Sequence, residues 1–194
     1  MSAEFYNLLS QLYIKIIEFD NERHNEFPLG APYNFFGQLI EGEARFRSSY
    51  CDFTIKEGEI VYIPKGCVYS SHWTPVKKVR FYSLGFRFLE PEKNETFLLQ
   101  KVEGCEGLNK EIEKMYENLQ SPNDAAGIFY QLYAKACTVL KQDARTKKYL
   151  SVYPAVQYIR AHCCEDFGVA HLAKLCKMSE PYFYPTFKAE MGCS

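Results

Sequence analysis

The feature that most constrains the fold is a series of three short amphipathic helical patterns in residues 151–194, separated by tight breaks. The first begins at Pro154, which suits the first turn of a helix because its missing N–H group costs nothing there. The second places apolar residues at i, i+3, i+4 and i+7 from Val169, which predicts one buried stripe. The third begins after Ser179, a favourable N-cap residue. This layout is typical of a helix-turn-helix unit, in which the second helix supports the third.

The residues before this segment have the pattern of a small β-rich unit. Alternating or apolar runs bounded by turn residues predict strands at Tyr13–Phe19, Asn34–Ile40, Ala44–Phe46, Asp52–Ile55, Ile60–Ile63 and Val79–Phe88. In the last of these strands, Phe81 and Ser83 are expected on one face and Leu84 and Phe86 on the other. Strands at such close spacing are typical of a sandwich or a barrel.

Two apolar stripes at helical spacing follow the strands. The first contains Leu108, Ile112, Met115 and Leu119, and the second contains Ile128, Leu132, Ala136 and Leu140. Turn-forming residues at 121–124 separate them, so the two helices are expected to be antiparallel neighbours. Their apolar faces either cover the β-rich unit or contact a second copy of the chain. The second alternative predicts a homodimer.

Composition excludes several other classes of protein. The chain is 47% apolar and 24% charged, which is typical of a globular protein. No apolar run approaches the roughly 18 residues of a membrane helix, and the first residues lack the basic segment of a secretory signal. We therefore expect a cytoplasmic protein with no membrane partner. The eight cysteines form no C-x-x-C pair and no zinc-type spacing with histidine, which favours reduced thiols.

The segment GEIVYIPKGCVY carries a second motif. Gly58 and Gly66 allow turns at both ends of one strand, and Pro64 stops it. The segment resembles the second motif of the cupin superfamily, a small β-barrel. In metal-binding cupins a histidine lies three residues beyond the last glycine, where this chain has Tyr69, and residues 37–58 contain no histidine. The resemblance therefore implies a barrel with no metal and no other cofactor, which either binds a ligand or is only structural.

A ligand pocket in such a barrel needs a few polar groups among aromatic walls. The candidate ligand-binding residues are Arg45, Tyr62, Tyr69, His72, Trp73, Arg80 and Tyr82. Arginine presents a planar fork to carboxylate or sugar oxygens, and the aromatic rings present flat faces to a sugar ring. The expected effector is a small molecule, with a carbohydrate as the suggested class. The alternative is that the tyrosines are core residues and the arginines lie on the outer face.

The helical segment at the end carries the most specific resemblance. The pattern YI-x-x-H…LA-x-L-C-K-MS-x-x-YF…FK-x-E-x-G, within Val156–Gly192, resembles the first helix-turn-helix of AraC-family transcription regulators. In that family a cupin-like domain senses a small molecule and dimerises, and two helix-turn-helix subdomains bind DNA. The resemblance implies an α+β fold with a cupin-like β-barrel, an antiparallel helix pair and a three-helix helix-turn-helix subdomain. The predicted domains are a sensor at 1–143, a linker at 144–150 and the DNA-binding subdomain at 151–194.

The sequence departs from the family pattern in two respects. The second helix-turn-helix is missing, so DNA binding is expected to be weak and without measurable sequence specificity. Pro185 also stands where the family commonly has arginine, and proline costs ~3 kcal/mol inside a regular helix. The residues expected at the DNA are Ser179, Glu180, Tyr182, Tyr184 and Lys188.

The sequence therefore predicts a ligand-responsive, DNA-binding transcription regulator of AraC type and not an enzyme. One alternative is a cupin enzyme, metal-free or metal-dependent, such as a sugar isomerase. The other is a truncated fragment that senses a ligand and dimerises but no longer binds DNA.

Overall fold

A computed structural model of the chain describes residues 8–89, 97–142, 151–152, 154–156, 158–159, 162 and 167–191. The chain divides into two compact units, Met1–Gln142 and Asp143–Ser194. The predicted linker at 144–150 lies outside the described residues.

The first unit is built on two antiparallel sheets. Its strands are β1 (Leu9–Phe19), β2 (Arg23–Phe27), β3 (Asn34–Glu41), β4 (Glu43–Arg47), β5 (Asp52–Ile55), β6 (Ile60–Ile63), β7 (Tyr69–Thr74), β8 (Val79–Phe88) and β9 (Gln100–Val102). One sheet has the order β1-β8-β3-β6-β9 and the other the order β2-β7-β4-β5. The predicted strands agree with β5, β6 and β8 at both ends. β2, β7 and β9 were not predicted from the sequence.

The five-stranded sheet lies between two different apolar environments. Leu84, Phe86 and Phe88 of β8 join the cluster that packs against the helices. Val79 and Phe81 of the same strand join the cluster between the two sheets. This division follows from the two-residue period of a strand and confirms the predicted faces of β8.

Two helices cover the outer face of this sheet. They are α1 (Leu108–Glu117) and α2 (Pro122–Cys137). Ile112 and Leu132, at the centres of the two predicted stripes, are both 0% exposed and belong to one cluster with Phe86. The stripes are therefore internal contacts of the first unit, and the proposed dimer contact through them is wrong. Leu119, the last residue of the first stripe, lies beyond α1 and is 44% exposed.

A close backbone approach joins two turns at one end of the barrel. Gly30, before β3, has φ +83°, and a Cβ atom there would lie 2.5 Å from the carbonyl oxygen of Gly66. Two backbone hydrogen bonds reinforce the contact, from Gly66 N to Ala31 O (2.8 Å) and from Ala31 N to Cys67 O (2.9 Å). The close approach therefore requires glycine at position 30, whereas Gly66, the second glycine of the cupin-like motif, is favoured by its own left-handed backbone, with φ +79°.

Most of the described residues of the second unit are helical. Helical backbone at 151–152, 154–156 and 158–159 precedes α3 (Val169–Leu175) and α4 (Glu180–Met191). Val152, Ala155, Leu172 and Phe183 form its buried core with Ala173 and Cys176. None of the helices in the described ranges is long and apolar enough to cross a membrane.

The turn between α3 and α4 is a Schellman motif with lysine in place of glycine. Lys177 has φ +53°, the one positive φ of a non-glycine residue in the described part of the chain. Its N–H group donates to Lys174 O (3.0 Å), and the N–H group of Met178 donates to Ala173 O (2.9 Å). These two bonds close the end of α3 and set the direction in which α4 begins.

Candidate functional site: the barrel cavity and helix α4

A cavity of about 320 Å³ lies between the two sheets of the first unit. Half of the lining residues are aromatic, with Phe19, Phe27, Phe35, Phe46, Trp73 and Phe81 among them. The lining also includes Gly37, where a Cβ atom would approach Val61 Cγ1 to 3.0 Å. A volume of this size is at the lower end of the range for small-molecule sites.

Strand alternation explains which side chains reach the cavity. β1 contributes alternate residues, Tyr13, Lys15, Ile17 and Phe19, and β2 contributes Arg23, Asn25 and Phe27. β1 and β2 are end strands of different sheets, so the cavity is bordered there by two strand edges. The charged residues of the lining lie on these two strands.

Two cations at this border have no anionic partner among the described residues. Lys15 and Arg23 are exposed, and no carboxylate of a described residue lies within 4.0 Å of their side-chain nitrogens. Arg23 instead lies over the ring of Phe19, with Cζ 4.0 Å from the ring centre. Lys15 Nζ is 5.7 Å from the ring centre of Tyr13. Both charges are therefore available to an anionic group at the edge of the cavity.

Tyr69 and Trp73, two of the seven predicted ligand residues, do line the cavity. Trp73 Nε1 donates to Ser71 Oγ (2.9 Å), and its ring stacks on Phe81 at 4.2 Å. Tyr69 stacks on Phe27 at 4.5 Å, and burial raises the pKa of its phenol, which therefore stays protonated as a potential donor. Both side chains are held in place by ring contacts.

Arg45 and His72 lie on the opposite face of the second sheet, pointing away from the cavity. Arg45 donates two hydrogen bonds to Asp52, at 2.7 and 2.8 Å. His72 Nε2 lies 2.5 Å from Glu22 Oε1. His72 directly precedes the cavity residue Trp73, and adjacent strand residues face opposite sides.

Tyr62, Arg80 and Tyr82 lie on the helix side of the five-stranded sheet. Tyr62 is 2% exposed and donates to Asn34 Oδ1 (3.3 Å). Tyr82 packs against Tyr116 of α1, with ring centres 5.3 Å apart, and Arg80 Nε lies 3.4 Å from Glu18 Oε2. None of these three residues lines the cavity described between the sheets.

Several cavity residues escaped the sequence analysis. The polar ones are Tyr13, Lys15, Arg23, Asn25, Ser71 and Ser83. One signal was present in β1. Tyr13, Lys15, Ile17 and Phe19 occupy every second position, so the lysine is expected on the same face of the strand as the other three residues. A lysine at a position of inward phase is unusual for a purely structural strand.

All five predicted DNA-contacting residues are exposed on the second unit. Ser179 and Glu180 lie at the start of α4, and Tyr182 and Tyr184 are 61% and 47% exposed. Lys188 is exposed near the other end of the helix. The carbonyl group of Ser179 accepts hydrogen bonds from the N–H groups of Tyr182 (3.1 Å) and Phe183 (2.8 Å), which begins the helix.

Pro185 does not end the helix. α4 continues through it to Met191, and Pro185 is exposed. In the same segment, the side chain of Thr186 donates a hydrogen bond from Oγ1 to the carbonyl oxygen of Tyr182 (2.7 Å). Proline cannot donate to the carbonyl group of Pro181, so that oxygen depends on solvent or a partner.

Comparisons with known proteins place the fold but give no match by sequence. Neither a protein-family profile nor a curated protein matches the chain. Fatty-acid-bound ToxT from Vibrio cholerae matches with a TM-score of 0.52 and 11% identity, over 99% of this chain and 77% of the ToxT chain. The AraC-like transcriptional activator CuxR matches with a TM-score of 0.51 and 15% identity, over 90% of this chain and 70% of the CuxR chain.

Matches to two further solved structures cover only part of either chain. EutQ proteins from Salmonella typhimurium and Clostridium difficile match at TM-scores of 0.33 and 0.30, with 25% and 17% identity, over 40% and 39% of this chain. The chain covers 58% and 56% of their length, less than two thirds. The structure and the longer matches confirm the predicted α+β class, a cupin-like domain followed by helices, and the chain shares this fold with the AraC-like activator CuxR.

Proposed function

We propose that the chain is a ligand-responsive transcription regulator of AraC type, which takes a small molecule into the barrel cavity and contacts DNA through α4. The observation that carries this proposal is the combination of a lined cavity in one unit and an exposed helix in the other. The fold that the chain shares with CuxR, an AraC-like transcriptional activator, supports it. The cavity lining gives no specific support to a metal-dependent cupin enzyme, because its described residues include no histidine, cysteine, aspartate or glutamate.

The lining favours an amphipathic carboxylate over a carbohydrate as the effector. A sugar ring needs several hydrogen-bonding partners in a desolvated site, and most of this lining is apolar. Lys15 and Arg23 supply two cations at one border, next to the phenylalanine-rich interior. A carboxylate head at those cations and an apolar tail in the interior would use both features. ToxT, which has a similar fold, has been crystallised with an unsaturated fatty acid bound.

The fluorescence of Trp73 offers a direct test of ligand binding. It is the chain's only tryptophan, is 7% exposed and lines the cavity. Decanoate and palmitoleate should change its emission, whereas glucose should not. Decanol, which has the same chain as decanoate without its charge, should bind more weakly.

The cation requirement can be isolated by substitution. The double variant Lys15→Ala, Arg23→Ala should bind decanoate about tenfold or more weakly, since a charge-assisted hydrogen bond contributes about 1.5–3 kcal/mol. Decanol binding should barely change. Lys78→Ala is the matched control, because Lys78 pairs with Glu18 (2.9 Å) away from the cavity lining. Equal losses for decanoate and decanol in the double variant would contradict the assigned role of the two cations.

For the DNA contact, we infer that the exposed side of α4 approaches the duplex with few phosphate contacts. Tyr184 and Lys188 are four residues apart and therefore lie on one side of the helix, next to Pro185. Lys188 is the one cation on this helix. Such a surface should bind weakly and with a shallow dependence on salt.

Fluorescence anisotropy with a labelled duplex tests this surface. Lys188→Ala should weaken binding and reduce the salt slope by about 1. Pro185→Arg should strengthen binding by adding a phosphate or guanine contact, and Lys78→Ala again serves as the control. An unchanged affinity in both α4 variants would show that this side of α4 does not face DNA. The homodimer and the cytoplasmic location remain predictions from the sequence.

A further inference from the structure

The cavity between the two sheets holds two buried serine hydroxyl groups. Ser71 and Ser83 both line it, and they are 2% and 7% exposed. Ser71 Oγ accepts a hydrogen bond from Trp73 Nε1 (2.9 Å), but its own O–H group has no acceptor among the described residues. The Ser83 hydroxyl group has no hydrogen-bond partner in the described part of the chain. Burying a hydroxyl group without a partner is costly, so this pair indicates that a polar group occupies the space beside it.

The two serines lie at the same level of the double sheet. Trp73 near the end of β7 stacks on Phe81 near the start of β8, with ring centres 4.2 Å apart across the two sheets. Only residues 75–78 join these two strands, so the chain reverses between them. Ser71 is two residues before Trp73, and Ser83 is two residues after Phe81. Because side chains alternate along a strand, one step from the stacked rings leads to a serine on both strands, and the two serines face each other.

Lys15 and Asn25 extend this polar level to the border of the cavity. In the register of the sheets, Lys15 of β1 is the partner of Ser83, and Asn25 of β2 is the partner of Ser71. Both are exposed residues of the edge strands and line the cavity. Neighbouring strands are about 4.8 Å apart, so the serine hydroxyl groups lie about one strand spacing further inside than the cation. The next partner of Ser83 is Gly37 on β3, which has no side chain to fill the space.

Aromatic levels lie on both sides of the polar level. On one side Trp73 stacks on Phe81, and on the other Phe27 stacks on Tyr69 at 4.5 Å. The interior therefore offers a ligand hydroxyl group one favourable level. A hydroxyl group further along an apolar chain would be buried among rings and would lose its hydrogen bonds to water.

We propose that the effector is a 3-hydroxy fatty acid, with its carboxylate at Lys15 and Arg23 and its hydroxyl group between Ser71 and Ser83. This assignment, which rests on the proposed effector site, adds one group to the ligand. The hydroxyl group accepts from Ser71 and donates to Ser83, so both buried serines gain a partner. Three bonds of about 1.5 Å each link the carboxylate carbon to the 3-hydroxyl oxygen, so one molecule reaches the cations and the serines together. The rest of the chain lies among the phenylalanines of the interior.

Titration calorimetry of the full chain with acids of equal chain length tests the proposal. The ligands are decanoate, the two separate enantiomers of 3-hydroxydecanoate, and 10-hydroxydecanoate. One enantiomer of 3-hydroxydecanoate should bind about threefold to tenfold more tightly than decanoate, where tenfold corresponds to about 1.4 kcal/mol. Its isomer 10-hydroxydecanoate should bind more weakly than decanoate, because its hydroxyl group is buried away from the serines. Binding of 10-hydroxydecanoate as tight as that of the preferred enantiomer would overturn the proposal.

Serine substitutions separate a ligand contact from a structural role. Ser83→Ala and Ser71→Ala should each bring the affinity for the preferred enantiomer to within about twofold of that for decanoate. Ser70→Ala is the matched control, because Ser70 directly precedes Ser71 on β7, faces the other side of the sheet and does not line the cavity. This control should keep the full preference. Equal weakening of both acids by Ser83→Ala would show that the serine only supports the fold, and it would overturn the proposal.

The same titrations distinguish the hydroxyl contact from the effector site on which it rests. Failure of decanoate and of both enantiomers to bind the parent would show that the effector site itself is wrong. Binding of decanoate at least as tight as that of either enantiomer would leave the carboxylate site standing and overturn the hydroxyl contact alone.

Discussion

Gly85 occupies a position where any side chain would collide with an aromatic ring. It is the register partner of Tyr13 across β8 and β1. A Cβ atom at Gly85 would lie 2.4 Å from Tyr13 Cζ and 2.6 Å from the hydroxyl oxygen. The tyrosine ring therefore covers the glycine, and Gly85→Ala must displace it. Displacement breaks two edge-to-face contacts, from Tyr13 to Tyr33 (5.4 Å) and to Phe35 (6.5 Å).

The expected loss of stability follows from those contacts. Each aromatic pair contributes about 0.5–1.5 kcal/mol, so the two together contribute about 1–3 kcal/mol. Alanine recovers about 0.5–1 kcal/mol because it loses less backbone entropy than glycine on folding. The net effect of Gly85→Ala is a destabilisation of up to about 2.5 kcal/mol. Since Tyr13 also lines the cavity, ligand affinity should fall with it.

Urea unfolding followed by Trp73 fluorescence measures this effect in the first unit alone. Gly127→Ala is the control, because Gly127 lies in α2 with open space around it and should gain up to about 1 kcal/mol of stability. In the background Tyr13→Ala, the cost of Gly85→Ala should disappear. A destabilisation by Gly85→Ala of the same size with and without the tyrosine would refute the collision as its cause.

Two further predictions concern a backbone position and an ion pair. Lys177→Gly should remove the strain of the left-handed backbone at the end of α3 and stabilise the second unit by about 0.5–1 kcal/mol. Hydrogen exchange measures this as about 2–5-fold slower exchange of the Met178 amide, which donates to Ala173 O. Faster exchange of that amide would contradict the prediction. The hydrogen bonds from Arg45 lower the pKa of Asp52, so this carboxylate stabilises the barrel above the ordinary aspartate pKa and loses that contribution as pH falls through its lowered value. Asp52→Asn should therefore destabilise the barrel by the same amount at all pH values from 7 to about 5, and should differ less from the parent in urea unfolding as the pH falls below the ordinary aspartate pKa of about 3.9. A difference that stays constant below that pKa would count against the linkage.

The sequence predicted strands well where one face is fully buried. β6 has four consecutive buried residues and β8 alternates strongly, and both have the predicted ends. β2 was missed because four of the five residues in Arg23–Phe27 are exposed, so their pattern carries little apolar signal. The stripes of α1 and α2 were predicted, but only the packed structure decides that the sheet covers them.

The candidate site was harder to predict because alternation gives two faces without saying which is internal. Tyr69 and Trp73 are on the inner face of β7, and His72 between them is on the outer face. The cations of the cavity lie on the two edge strands, far in sequence from Tyr69 and Trp73. Exposure on α4 was easier to predict, since helical period alone separates Tyr184 from the buried Phe183.

The border between β1 and β2 is the place where the barrel should open most easily. β1 is hydrogen-bonded to β8, and β2 to β7, with no described ladder joining the two edges. Parting these edges breaks none of the described ladder bonds and disturbs only side-chain contacts, so local opening should cost far less than global unfolding. If the proposed effector enters the cavity, the same border is where the width of the cavity should change, while the rest of the double sheet stays intact.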